Sequence, residues 1–438
     1  MRFICFAFFA TLLAACSTVT PPLDKPFTVA VLPDTQNALD YRHQKAAGFA
    51  LDSSELLIQQ MQFIVANSQA NGGDIAFVAA VGDVWQHQTK RMDEQHKARG
   101  FQTIENPFFA LELEITDKTF TVEIPKAIEA YSLLDQANIP FGVAPGNHDY
   151  DAMWSDSSFP LAPIKNIREL TITPEDLGML HIGGLDNFRS AFSSDSPFFM
   201  DKPWYISSFN GGANSAQLFN GGGYRFLHIA VEMQPADDVI EWATKVITEN
   251  PGLPTIISTH DYLNVDGERL ANPIVDLNRI DPDFHNSAEE MWQKFISRHD
   301  QIFLVLCGHQ HGQSMRVDNN VNGYKVYQVL ADYQDRGQAG IDHGQPLDPH
   351  RRIPVGTGDG WLRLMTFDVA AKNPTITVKT YSSYYQAYSS EIKTYAQWYK
   401  NHEQPEMTDK AFYAADDFII ELDDFKQRFR QSQKTYRQ

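Results

Sequence analysis

The sequence predicts an α/β fold in which a second sheet packs on a first. Short apolar and β-branched runs alternate with stretches of helical spacing along much of the chain, and the later strand-like runs have few helices between them. Repeated β-α alternation belongs to layered α/β architectures, and strands without intervening helices indicate a further sheet. With 438 residues, 43% hydrophobic and 21% charged, the chain has the composition of a globular protein able to bury a large core.

Residues 27–32 (FTVAVL) form the first predicted strand, and residues 55–69 carry Leu56, Ile58, Met61, Ile64 and Val65 at helical spacing. The alternation continues with strand 75–81, helix 124–137 and strand 140–144. It resumes with strand 226–231, helix 239–248, strand 255–258, helix 288–298 and strand 302–306. The runs 325–330, 362–367, 375–380 and 418–422 are assigned to the second sheet. Two segments break the rhythm, a polar one at 88–121 and one at 150–223 rich in Ser, Asn, Gly and aromatics. Both read as insertions at the rim, where long loops often carry function. Aromatics in and near them, among them Trp204, Tyr205, Phe209, Phe219, Tyr262 and Tyr333, could line a cleft or pack as core. Trp361 reads as a packing anchor for the second sheet. The folded domain is expected over 26–425, with 426–438 a polar tail.

The N-terminus has its own pattern. Met1 and Arg2 precede an apolar run over residues 3–13, shorter than the roughly 20 residues needed to span a bilayer, so it reads as a secretory signal over 1–15. Leu13-Ala14-Ala15-Cys16 resembles the bacterial lipobox, in which the cysteine is lipidated and becomes the mature N-terminus. Residues 16–25, with Pro21-Pro22 and no apolar periodicity, then read as a tether. The expected location is the bacterial cell envelope, anchored by lipid to the outer membrane and facing the periplasm or the exterior. Of three cysteines, Cys5 falls in the signal and Cys16 at the lipid site, leaving Cys307 in the mature body without a partner for an internal disulfide.

The net charge of -19 and the lack of a long lysine and arginine run exclude a dedicated nucleic-acid binder. An acidic surface also repels phosphorylated molecules, so phosphate chemistry would need a local cation such as bound metal.

Five predicted strands end in residues able to bind metal or phosphate: Asp34-Thr35-Gln36, Gly82-Asp83, Gly146-Asn147-His148-Asp149, Thr259-His260 and Gly308-His309-Gln310-His311. In open α/β sheets the carboxyl ends of strands gather at one edge, so the five can converge on one cleft. Glycine ahead of three of them permits a sharp turn and close approach. A lone Gly-Asp or a lone buried histidine is ordinarily structural; the ordered set is not explained that way.

This ordered set resembles the calcineurin-like metallophosphoesterases, whose pattern runs D-x-H, G-D-x-x-D, G-N-H-D/E, a lone His and G-H-x-H, and is most similar to a bacterial branch whose first motif reads Asp-Thr-Gln. The resemblance implies a four-layer α/β/β/α sandwich of two packed mixed sheets and a site for two divalent ions, Mn, Fe or Zn. On that implication Asp34 and His311 bind the first metal, Asp83 bridges both, and Asn147, His260 and His309 hold the second. Two ions about 3.5 to 4 Å apart would activate a bridging hydroxide for in-line attack on a phosphate mono- or diester. His148 would act as acid or transition-state stabiliser, with Asp149 orienting it. Two departures stand out. Gln36 occupies a position usually held by a histidine ligand, and would offer a neutral carbonyl oxygen. Gln86 replaces an aspartate that in relatives can pair with the catalytic histidine; His87 beside it could compensate in part, although it and His43 read more simply as packing or surface residues. The expected substrate is a small phosphate ester. The rival expectation is a metal-containing lipoprotein that binds phosphorylated ligands or glycans without turnover.

Overall fold

The computed structural model describes residues 25–108, 113–163 and 173–436. The signal segment, Cys16 and the tether up to residue 24 lie outside the described residues. In chain order the strands are β1 (Phe27–Leu32), β2 (Ile75–Ala80), β3 (Thr103–Ile104), β4 (Phe141–Val143), β5 (Ala152–Asp156), β6 (Leu180–Gly183), β7 (Tyr205–Phe209), β8 (Asn214–Gly221) and β9 (Tyr224–Ala230). They continue as β10 (Thr255–Ser258), β11 (Ile302–Cys307), β12 (Gly312–Asn319), β13 (Lys325–Asp332), β14 (Trp361–Asp368), β15 (Thr375–Ser382), β16 (Ala387–Tyr388) and β17 (Asp417–Glu421). The fold is α/β, with two large mixed sheets.

The first sheet runs β16-β15-β14-β1-β2-β4, with β17 also on β15; the second runs β12-β13-β11-β10-β9-β8-β7. Within the first, β1, β2 and β4 are parallel, and within the second β9, β10, β11 and β13 are parallel. Parallel neighbours need crossovers, and the sequence supplies them as the helices Ser54–Ala66, Ile124–Gln136, Asp237–Glu249 and Ala288–Lys294. The period-two alternation of β1 divides its side chains between two cores. Ala30 and Leu32 pack with residues of the helices Ser54–Ala66 and Ile124–Gln136, whereas Phe27, Val29 and Val31 share a core with Phe226, Ile256, Phe303 and Leu304 of the second sheet. Phe27 stacks on Phe367 at 4.9 Å between ring centroids and lies 5.1 Å from Phe226. The other face of the second sheet, through Ile229, Ile257 and Val305, packs on Val239, Ala243 and Met291 of its two helices.

Several elements differ from the sequence expectation. The late strands do not form one separate sheet: β13 joins the second sheet, while β14, β15 and β17 complete the first beside β1. Trp361 accordingly opens a strand of the first sheet, where it is buried against Tyr395 and Tyr399. Residues 205–221, expected within a rim insertion, are β7 and β8 and extend the second sheet. The remaining insertions contribute a small sheet, β3-β5-β6. The expected polar tail folds into helices Phe425–Arg428 and Arg430–Tyr436, because Phe425 and Phe429, four residues apart, are both buried against Phe303. Cys307 ends β11, buried and without a disulfide. Among the described residues no helix is long and apolar enough to cross a membrane.

Candidate metal centre

All five strand-end clusters meet on one edge of the two sheets. Asp34 follows β1, Asp83 follows β2, Asn147 and His148 follow β4, His260 follows β10, and His309 and His311 follow β11. Asp83 Oδ2 is the hub: His260 Nε2 and Gln36 Nε2 each lie 3.2 Å from it and His148 Nε2 lies 3.9 Å away. His260 donates its Nδ1 proton to the Val81 carbonyl at 2.9 Å, which leaves Nε2 facing inward. That nitrogen meets Asn147 Oδ1 and His309 Nδ1, both at 3.1 Å. Four acceptor-type atoms pointed at one another require a proton or a cation between them. Asp83, His260 and His309 are buried and present ligand atoms within 4.8 Å of one another, so the cluster could hold a metal ion.

The backbone is built for this crowding. A Cβ on Gly308 would stand 2.0 Å from Asp34 Oδ1, and one on Gly146 would stand 2.2 Å from Asp83 Oδ1. Asp83 and His309 themselves hold left-handed φ of 51° and 71°, strained for residues with a side chain and maintained by the surrounding packing.

Charge in the cleft is unbalanced. Burial, reinforced by the Asp332 carboxylate, holds Asp34 well above the usual carboxylate range. Burial would also raise Asp83, but the His260 and His148 charges outweigh it and hold this carboxyl low. Burial disfavours a cationic His260, yet Asp83 and Asp34 pull its pKa up to about 10. A proton held on His260 thus supplies the positive charge that the carboxylates demand, the role a metal cation would take. Asp34 Oδ1, Gln36 Oε1, His309 Nε2 and Asp332 Oδ2 are buried without a hydrogen-bond partner. Buried polar atoms are rarely left so, and this donor set of carboxylate, amide and imidazole fits divalent ions such as Mn, Fe or Zn.

Not every expected residue takes its expected place. Asp149, expected to orient His148, instead accepts from the Val84 and Gly146 N–H groups at 2.8 Å each and ties the two loops together. The orienting partner of His148 is the backbone carbonyl of Gln86, 2.6 Å from Nδ1. His87 turns away and is buried against Glu123, with Nδ1 2.7 Å from its carboxylate. His43 is held by the Asn37 carbonyl at 2.7 Å. His311 sits at the mouth, paired with Asp335 at 2.6 Å and hydrogen-bonded to Gln334, which also bonds Gln36. Of the aromatics, Phe219, Tyr262 and Tyr333 are buried core residues, and Tyr205 stacks on Phe199.

Sequence reasoning missed Asp332, Gln334 and Asp335. The strand-end rule that found the other clusters would have found Asp332 had the strand expected at 325–330 been extended to its end, because β13 runs to Asp332 itself.

No family model matches the sequence. Over 264 residues, 59% of this chain, the sequence is 26% identical to YvnB of Bacillus subtilis (strain 168), a protein described as uncharacterized. The match spans 15% of that protein's length.

Proposed function

We propose that the chain is a metal-dependent hydrolase of phosphate mono- or diesters of the calcineurin-like metallophosphoesterase kind, carried on the bacterial envelope by lipid on Cys16. The supporting fold reading is a four-layer α/β/β/α sandwich: two helices, the first sheet, the second sheet and two further helices, with an apolar core at each junction.

The observation that carries the proposal is the convergence of acceptor atoms from the strand ends of both sheets around the Asp83–His260 pair, with four further buried polar atoms left without partners. Asp83, Asn147, His260 and His309 would hold one divalent ion, and Asp34, Gln36, His311 and Asp332 the other. When bound, the pair supplies Lewis acidity that activates water and offsets charge on the phosphoryl group. The chain's own contribution is orientation and proton placement. His148 is fixed through Nδ1, so Nε2 faces the cleft, from which the doubly protonated ring would donate to a phosphoryl or leaving-group oxygen. Beside Gln86 a cavity of about 290 Å3, lined by Arg42, His43, His350 and Arg351 together with Asp40 and Asp348, offers room for the rest of a small ester.

The test is paired metal and activity measurement. Asp83→Asn and His309→Ala each remove a ligand, so metal content and hydrolysis of chromogenic esters should fall together. A wild-type chain that binds its metals tightly yet turns over neither mono- nor diesters would instead be the binding lipoprotein.

A further inference from the structure

A second cluster, sharing no residue with the Asp83 hub, joins the rim segments. His96 lies on the short helix Glu94–Ala98, His181 on β6, and Asp281 just after the helix Leu277–Ile280. Their ligand atoms lie within 4.8 Å of one another. Three atoms, His96 Nε2, His181 Nε2 and Asp281 Oδ2, are buried and have no hydrogen-bond partner. His181 is 0% exposed and Asp281 5%, so solvent does not satisfy them.

The surroundings are those of a ligand set. His96 donates its Nδ1 proton to Asp93 Oδ2 across 2.6 Å, which leaves the Nε2 lone pair facing the cluster, the arrangement that orients metal-binding histidines. Gly183 makes the approach possible, since a Cβ there would stand 1.9 Å from Asp93 Oδ2 and 2.6 Å from His96 Nδ1. Asp281 Oδ1 accepts from the Arg99 guanidinium at 2.6 Å, and Oδ2 lies toward the histidines, 3.9 Å from His181 Nε2. Ligand atoms on a tetrahedral zinc stand roughly 3.3 Å apart, so small side-chain rotations close the set. A cavity of about 580 Å3 lined by His96, Arg99 and His285 lies beside the cluster.

In the other buried trio, Asp40, His87 and Glu123, His87 Nε2 is without a partner but both carboxylates are engaged. Arg42 takes Asp40, and His87 Nδ1, the His87 N–H and the Tyr41 N–H take Glu123.

We propose that His96, His181 and Asp281 bind a divalent transition-metal ion of the zinc class, which pins the two rim segments to the loop at Asp281. Binding has one local cost. The Ile182 N–H lies 2.9 Å from His181 Nδ1, and coordination through Nε2 leaves the ring proton on Nδ1, so that contact must open. A trapped water is the competing occupant, with His181 donating to it and His96 and Asp281 accepting.

The full chain carrying Asp83→Asn and His309→Ala, loaded with Zn2+ and desalted, separates this site from the Asp83 centre. Metal analysis should show that adding His181→Phe, or separately Asp281→Asn, lowers bound zinc by one ion per chain. Loading with Co2+ should give the visible absorption of a low-coordinate cobalt, lost with the same substitutions. Unchanged stoichiometry, or no zinc in the folded parent, leaves a water in the site and overturns the proposal. Should the parent fail to fold, wild type against His181→Phe is read in the same way, with one ion lost or the proposal refuted.

Discussion

His148 donates its Nδ1 proton to the backbone carbonyl of Gln86 across 2.6 Å, while its Nε2 stands 3.9 Å from Asp83 Oδ2. A main-chain acceptor does here what a carboxylate could do: it fixes the tautomer and aims the second nitrogen at the cleft. It does so without adding a charge to the cleft.

From this follows a contrast between neighbouring histidines. His148→Ala should retain the metal content of wild type while turnover falls by about a hundredfold or more, the scale of lost acid or electrostatic catalysis. His309→Ala should lose metal and turnover together. Metal analysis and initial rates on the same samples check both; equal metal loss in the two variants would reverse the assigned roles.

Asp332 gives an effect of opposite sign on two measurements. Its charge helps hold the Asp34 carboxyl above its usual range, so Asp332→Asn relieves a like-charge contact when no metal is bound. The metal-free variant should therefore be as stable as wild type or more so in urea, while affinity for one of two metals drops about ten- to a hundredfold. Titration calorimetry on metal-free protein reads the second part.

As a ligand Gln36 would offer an uncharged amide oxygen, a weaker donor to Mn, Fe or Zn than an imidazole. Wild type should show two unequal metal affinities, and Gln36→His should reduce the inequality if the ring fits the space between Asp83 and Gln334. Equal wild-type affinities would place Gln36 outside the ligand set.

Glycine 308 tests the crowding. Gly308→Ala sets a methyl 2.0 Å from Asp34 Oδ1, so the loop must shift, at a cost of about 1–3 kcal/mol. Metal content should fall with stability. Gly323→Ala meets nothing within 4 Å and strains only a φ of 86°, so it should lose about 1 kcal/mol and keep its metals.

How much of this was legible follows from where the signals sit. The strand-end clusters at Asp34, Asp83, Asn147, His260 and His309 were readable because each pairs an apolar run with a polar stop, a local pattern. Asp332 ends β13 two residues beyond the apolar run 325–330, where no local pattern marks the strand's end. The assignment of β14 and β15 to the first sheet was hidden because an antiparallel partner for β1 can come from anywhere later in the chain, and hydrophobic period alone does not choose between sheets. The folded C-terminal helices rest on two phenylalanines, Phe425 and Phe429, among polar residues, a stripe too short to register as amphipathic. The role of Gln86 lies in its carbonyl, which every residue has, so no sequence signal marks it.

Stability should depend on acid through His228, which is buried between Gln217 and Ser258 at 2.8 Å from each and whose pKa burial depresses to about 3. The unfolded chain binds a proton there near 6.5 and the folded chain does not, so this contribution is present above the unfolded pKa and lost as pH falls below it. Between pH 7 and pH 5 it amounts to about 2 kcal/mol. Urea midpoints should fall more steeply over that window for wild type than for His228→Gln; parallel curves would show that His228 is not held neutral.

Metal-dependent phosphoester hydrolysis at the Asp83 hub is tested by the turnover of chromogenic mono- and diesters by the chain from residue 26 onward, before and after chelation. Turnover is expected with Mn2+, with loss on chelation and recovery when Mn2+ returns. Turnover indifferent to chelation, or none at all in folded protein with both metals bound, would contradict it.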